Sequence, residues 1–205
     1  MTTIFTETKI ASLVQALNQA KSIVITSHKS PDGDSMGCSL GLFHFLSRQG
    51  YPVSVCHPDI APAFLKWMPG ADQVVLLERE PDKAKDLLAR ADVLFCLDYH
   101  HPSRTGKMEE LLVAAQGMKV IIDHHRDPDQ EFATLLFSDI AASSTSQLIY
   151  DLIESMGKLD LIDAKSGECL YTGLVTDTGS FRFSATSERT HHIAGDLIKR
   201  GIKTW

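Results

Sequence analysis

Short runs of β-branched and apolar residues recur along this chain with helix-periodic stretches between them, and this alternation restricts the fold more than any other feature. Residues 7–20 carry Ile10, Leu13, Val14 and Leu17 at i, i+3, i+4 and i+7, one stripe of a helix. SIVIT (22–26) follows, β-branched and too short for a helix. The pattern predicts a helix over 35–49 closed by Gly50, strands at PVSVC (52–56) and QVVLL (73–77), and a helix over 81–90. Strand DVLFCL (92–97), a helix over 105–116 and strands KVIID (119–123) and TLLFS (134–138) complete the series. The strands read as continuous apolar runs, as they do when both faces of a parallel sheet are covered. The expectation is an α/β fold: a doubly wound, mainly parallel β-sheet with helices on both faces, followed from Ser143 by a helical segment. No linker, low-complexity tract or fixed-period repeat breaks the 205 residues, which predicts one domain over 1–205.

With 43% hydrophobic residues the chain can bury a sizeable core. Its net charge of −6, without a basic tail or a run of five like charges, argues against tracking long nucleic acid by phosphate neutralisation and favours small or short substrates. Cys38, Cys56, Cys96 and Cys169 are widely spaced and form no CxxC pair, so they read as buried thiols of a reducing compartment. The N-terminus MTTIFTETKIASLV lacks a basic stretch followed by an apolar one, and no apolar run reaches 18 residues; a soluble cytoplasmic protein without membrane contact is the expectation.

Ligands of an open parallel sheet bind beyond the carboxyl ends of its strands. His28, Asp32 and Asp34 follow SIVIT; Asp98, His100 and His101 follow DVLFCL; Asp123, His124 and His125 end KVIID; and Asp177, in GLVTDTGSF, follows an apolar helix. Singly, each is an ordinary loop histidine or capping aspartate. Together, at one edge of one sheet, the carboxylates would repel one another and be expensive to bury, a conflict that divalent cations resolve. Carboxylates with a minority of imidazoles and no cysteine suit Mn²⁺ or Mg²⁺, less selectively Co²⁺ or Fe²⁺, rather than structural zinc. More than four candidate ligands imply two cations roughly 3.5 to 4 Å apart. A calcium loop fails on spacing, because DGDSMGCSLGLF lacks the third acid and has Phe43 at its twelfth position.

Gly33 lets the loop fold between the two aspartates, and Gly37 and Gly41 either let the helix lie close on the sheet or are ordinary small residues. Asp34-Ser35 falls at the helix N-terminus, where free N–H groups favour anions. GxGxxG, GxxxxGK[ST], HExxH and GxSxG are all absent, which removes the usual dinucleotide, P-loop, zinc-protease and serine-hydrolase readings.

These clusters resemble the four motifs of the DHH (RecJ-like) phosphoesterase family: SHKSPDGDSMG, LDYHHPSRTG, the DHH at 123–125 and GLVTDTGSF, over roughly residues 20–200. The resemblance implies one metal held by His28, Asp32 and Asp98, a second by Asp34, Asp98, His124 and Asp177 with Asp98 bridging, and a metal-held hydroxide, most naturally between two Mn²⁺ ions, attacking phosphorus in line. It implies that His125 contacts the scissile phosphate and that Asp123 orients its neighbours, the alternative for Asp123 being a strand-end cap. Within the family, TSHKSPDGDSMGCSLGL and TDTGSFRFSATSERT look most like the branch of oligoribonucleases that also dephosphorylate 3′-phosphoadenosine 5′-phosphate (pAp), some acting on linear dinucleotides such as pApA. Substrate contacts carried over to this chain are Arg104, Ser180 and Arg182, the arginines suiting phosphate or base unless they are surface salt-bridge partners.

That branch continues into a second, smaller domain with a GGGH stretch. KRGIKTW ends this sequence without one, so the expectation is the catalytic domain alone, cut at the linker, with a homodimer left open. His100 and His101 add metal affinity, approach the substrate or line the cleft, of which cleft lining is preferred, and His191-His192 read as helix surface. Rival activities are an inorganic pyrophosphatase or exopolyphosphatase and a long-strand exonuclease. A nucleotide sensor without turnover would lack a ligand, whereas all six positions are present here.

Overall fold

The computed structural model describes residues 4–204. Met1 to Thr3, the start of the segment read as lacking a leader, and Trp205 lie outside it. Six strands, β1 (Ile23–Thr26), β2 (Val53–His57), β3 (Val75–Leu76), β4 (Val93–Leu97), β5 (Met118–Asp123) and β6 (Leu135–Ser138), form one sheet in the order β3-β2-β1-β4-β5-β6. Every pairing is parallel. The chain leaves β1 toward one edge and returns at β4 toward the other, so the switch point of the doubly wound sheet lies between β1 and β4, the crevice where such sheets bind ligands.

The continuous apolar runs divide cleanly between two cores because side chains alternate along a strand. Ile23, Ile25, Val93, Phe95, Leu97, Val120 and Ile122 face the larger core, with α1 (Glu7–Gln19), α2 (Gly33–Arg48), α5 (Thr145–Ser155), α6 (Ala164–Asp177) and α7 (Glu188–Lys199). Val24, Leu94, Cys96 and Ile121 face the smaller one, under α3 (Pro81–Arg90) and α4 (Glu109–Ala114). The four cysteines are buried and unpaired. No helix among the described residues is long and apolar enough to cross a membrane.

Three local expectations change. The helix expected from Ser35 starts at Gly33, because the Asp32 carboxylate caps it, accepting from the N–H groups of Asp34 and Ser35 at 3.0 Å each. QVVLL shrinks to the two residues of β3 behind a 3₁₀ turn over Ala71–Gln73. The helix expected over 105–116 becomes a 3₁₀ stretch, Pro102–Met108, before α4, since Gly106 at φ 59° breaks the helical path.

The glycines of α2 serve a different contact from the one expected. They meet α6, not the sheet: a Cβ on Gly37 would lie 2.7 Å from the Cys169 carbonyl oxygen and 2.8 Å from the Gly173 nitrogen, and one on Gly41 would meet Leu170. On the facing helix, a Cβ on Gly173 would lie 2.5 Å from Asp34 Oδ1. Missing side chains on both helices therefore bring α6, with Asp177 at its end, against the start of α2, with Asp32 and Asp34.

Candidate metal centre

The sheet delivers the expected residues to one place. Residues at or just beyond the strand ends are placed by the strands themselves, so the β1–α2 loop contributes His28 and Asp32, the end of β4 contributes Asp98, and the end of β5 contributes Asp123, His124 and His125. The first turn of α2 and the last residue of α6 add Asp34 and Asp177.

Asp98 sits in the middle. Its Oδ2 lies 3.4 Å from His28 Nε2, which is 3.8 Å from Asp32 Oδ2. Its Oδ1 lies 3.6 Å from His124 Nε2, which is 3.3 Å from Asp177 Oδ2. Ligand-type atoms of His28, Asp32 and Asp98 fall within 4.8 Å of one another, as do those of Asp34, His124 and Asp177. Separations of 3.3 to 3.8 Å are long for hydrogen bonds. They are close to the roughly 3.0 to 3.5 Å between two ligand atoms that share a cation about 2.1 Å away.

The imidazoles are oriented for that purpose. His28 Nδ1 donates to the Lys29 carbonyl at 2.8 Å and His124 Nδ1 to that of Ala142 at 3.3 Å, so in each ring Nε2 is the nitrogen turned inward toward the carboxylates. Asp34 accepts from the N–H groups of Thr145 and Ser146 at 2.6 and 2.9 Å, at the N-terminus of α5, where free N–H groups and the helix dipole favour an anion. The Thr145 hydroxyl donates to Asp98 Oδ1 at 3.0 Å. Asp98 has φ 63°, a left-handed backbone that few non-glycine residues adopt.

The crowded charges perturb one another. Burial, then Asp98 and Asp177, push the Asp34 carboxyl well above the aspartate range. Burial, with Asp98 and Asp32 and against His124, pushes Asp177 up to about 6. Burial also works upward on Asp98, but His28, His124 and His125 overcome it and its pKa falls below the ordinary value. Burial opposes the charge on His28, and the Asp98 and Asp32 carboxylates outweigh it, so its pKa is raised. A carboxylate cluster in which one member is forced toward its acid form lacks counter-charge, and the donor set fits divalent cations bound by hard oxygens and imidazole.

The third motif divides its labour. Asp123, fully buried, binds the next turn twice, accepting from His125 N at 3.0 Å and His125 Nδ1 at 2.8 Å. That second bond raises the His125 pKa. Asp123 thus caps the strand end and orients a neighbour at once. The His125 side chain is 43% exposed, with Nε2 turned away from its anchor.

The remaining candidates separate. His100 is half-buried, its ring centroid 5.8 Å from that of His125, and its buried Nδ1 has no partner among the described residues. His101 is exposed, bonded to Ser103 and 3.4 Å from Asp129. Arg104 and Arg182 are exposed and make no ion pair among the described residues, so neither is a surface salt bridge. Ser180 is exposed in the turn after Asp177, and His191 and His192 lie on the exposed face of α7. Sequence reasoning passed over Thr145 and Ser146; the signal was SSTSQ ahead of an apolar run, an N-cap signature in which Ser144 accepts from Gln147 N.

Comparison with known proteins agrees in kind. The model of the DHH family, N-terminal domain, matches residues 22–174. The bifunctional oligoribonuclease and PAP phosphatase NrnA of Thermus thermophilus is 32% identical over 182 residues, 88% of this chain and 51% of that protein. The cyclic-di-AMP phosphodiesterase GdpP of Geobacillus thermodenitrificans is 29% identical over 200 residues, 94% of this chain and 30% of that protein. The crystal structure of an exopolyphosphatase-related protein from Bacteroides fragilis superposes with a TM-score of 0.95 at 39% identity, covering 99% of this chain and 59% of that one. The chain spans about half the length of the NrnA relative it matches.

Proposed function

Because this chain belongs to the DHH family, we propose that it is a hydrolase of phosphate esters that acts through two divalent cations on short oligoribonucleotides and on pAp, with linear dinucleotides such as pApA as further substrates. His28, Asp32 and Asp98 would hold one cation and Asp34, Asp98, His124 and Asp177 the other. Divalent cations bound there, Mn²⁺ first among them, supply Lewis acidity to the phosphoryl oxygens and a water acidic enough to attack at neutral pH.

The rest of the reaction falls to the chain's own residues. Asp123 holds His125 by Nδ1, which leaves Nε2 free to bond a phosphate oxygen or to give a proton to the departing one. The raised pKa of His125, caused first by its bond to Asp123, favours the protonated ring that such a donation needs. The carbonyls of Lys29 and Ala142 fix the inward nitrogens of His28 and His124, and the Thr145 hydroxyl holds Asp98 against rotation. Arg104, Ser180 and Arg182, all exposed, are the substrate contacts of this reading.

The observation that carries this reading is the single Asp98 carboxylate, one oxygen facing His28 and the other His124. The relatives named for oligoribonuclease and PAP phosphatase activity support the substrate class. A second reading, hydrolysis of inorganic pyrophosphate or polyphosphate, is favoured by the likeness to the Bacteroides protein described as exopolyphosphatase-related. The test is product release in Mn²⁺ from pAp, di- to pentaribonucleotides, cyclic di-AMP, pyrophosphate and polyphosphate side by side. Turnover of the first two supports the proposal, turnover confined to the last two replaces it with the second reading, and silence on all five sinks both.

A further inference from the structure

The turn that follows Asp177 is held in an unusual and costly conformation. Gly179, Ser180 and Phe181 have φ of 55°, 61° and 63°, three consecutive residues in the left-handed region, two of them not glycine. The buried Thr178 organises it: its carbonyl accepts from the N–H groups of Arg182 and Phe183, and its hydroxyl accepts from Phe181 N at 3.0 Å. Phe181 anchors the turn to the helices on either side, with ring centroids 6.3 Å from Tyr171 of α6 and 5.3 Å from His191 of α7.

What this strained, pinned turn displays is an aromatic ring and a cation. Phe183 is 58% exposed, and its ring lies over Gly179: a Cβ there would come within 2.6 Å of Phe183 Cε1. The φ of 55° at Gly179 suits glycine, and a side chain there would displace the ring packed against it. Arg182 donates through Nε to the Gly179 carbonyl at 2.8 Å, which fixes the guanidinium while its terminal nitrogens have no partner among the described residues. Ring and guanidinium both lie within six residues of Asp177, whose side chain is 30% exposed. Strain retained next to a chemical centre, with an apolar ring kept in water, is the mark of a surface shaped for a ligand rather than for stability.

We propose that this turn is a nucleobase platform: Phe183 stacks on the base of a nucleotide whose phosphate lies at the metal centre, and Arg182 pairs with a neighbouring phosphate of the same ligand. Bases stack on aromatic rings whatever their identity, and a guanidinium fork matches phosphate geometry. The proposal rests on the nucleotide reading above and adds the element that separates a nucleotide from inorganic polyphosphate, which has no base to stack.

The test is calorimetric titration of the Mn²⁺-loaded protein with 5′-AMP and, separately, with inorganic phosphate. The wild type is expected to bind AMP about tenfold or more tightly than phosphate. Phe183→Leu, a change at an exposed position, is expected to remove most of that difference by weakening AMP alone, and Phe183→Tyr to retain it. Equal binding of AMP and phosphate by the wild type, or a difference that Phe183→Leu leaves intact, overturns the platform. Turnover of pAp and pentaribonucleotide by the wild type is measured beside it. Absent turnover with a base-dependent affinity difference faults the functional reading alone, and turnover without that difference faults the platform alone.

Discussion

The two halves of the proposed metal centre are built on different principles. The His28, Asp32 and Asp98 half takes two of its three residues from one loop, His28 and Asp32 being four residues apart, and Asp32 is 60% exposed while its other oxygen caps α2. The Asp34, His124 and Asp177 half is gathered from α2, the end of β5 and the end of α6, with Asp34 only 1% exposed and braced by two N–H groups of α5. The local half tolerates small shifts of the helices because its loop pair and Asp98 sit at the ends of the paired strands β1 and β4. The gathered half depends on the glycine contact between α2 and α6, so it is the half that reports whether the domain is correctly packed.

The largest test of this contrast is Asp98→Ala, which removes the shared carboxylate: metal content should fall from two toward none and turnover by on the order of a thousandfold or more, several kcal/mol of lost charge stabilisation. Retention of one tightly held metal, read by mass spectrometry of the native protein, would mean the halves are independent. Asp34→Ala should spare the local half, leaving one metal per chain and activity lower by about a hundred to a thousandfold.

The next test is stability against pH after chelation. Asp177 is raised in the folded state to about 6, so its protonated form favours folding. Its contribution is present below the unfolded aspartate value and is lost as pH rises from about 4 to 6, roughly 2 to 3 kcal/mol at most. The melting temperature of the metal-free protein should fall over that window, and Asp177→Asn should flatten the change; a metal-free profile that rises there would contradict the charge crowding described. Asp32→Ala should weaken one metal and also cost about 1 kcal/mol as a lost cap, while Asp32→Asn keeps the cap and isolates the metal effect. Smallest of all, His100→Ala should change turnover by less than about fivefold, since that ring stands beside His125 without bonding it.

Much of this was legible in the sequence for a physical reason: strand-end residues are fixed by the strand itself. His28, Asp98 and the DHH run follow apolar β-branched runs directly, so identifying the strands located the ligands. The partners of those residues were not legible. That Gly37 meets Gly173, that Thr145 holds Asp98, and that Asp34 rests on the N-terminus of α5 are contacts between segments more than 45 residues apart, and no local spacing encodes them. QVVLL was overrated for the same reason, because an edge strand ends where its neighbour ceases to pair, and β2 offers β3 only Cys56 and His57.

The left-handed backbone of Asp98 carries a consequence for stability. Glycine occupies that conformation without penalty, whereas an aspartate there gives up on the order of 1 kcal/mol and, in the metal-free chain, also buries a carboxylate. Asp98→Gly would therefore relax the backbone while removing the carboxylate that His28, His124 and the Thr145 hydroxyl face, two effects of opposite sign on the metal-free fold. Function at this position thus sets a backbone cost against a side chain that glycine cannot supply.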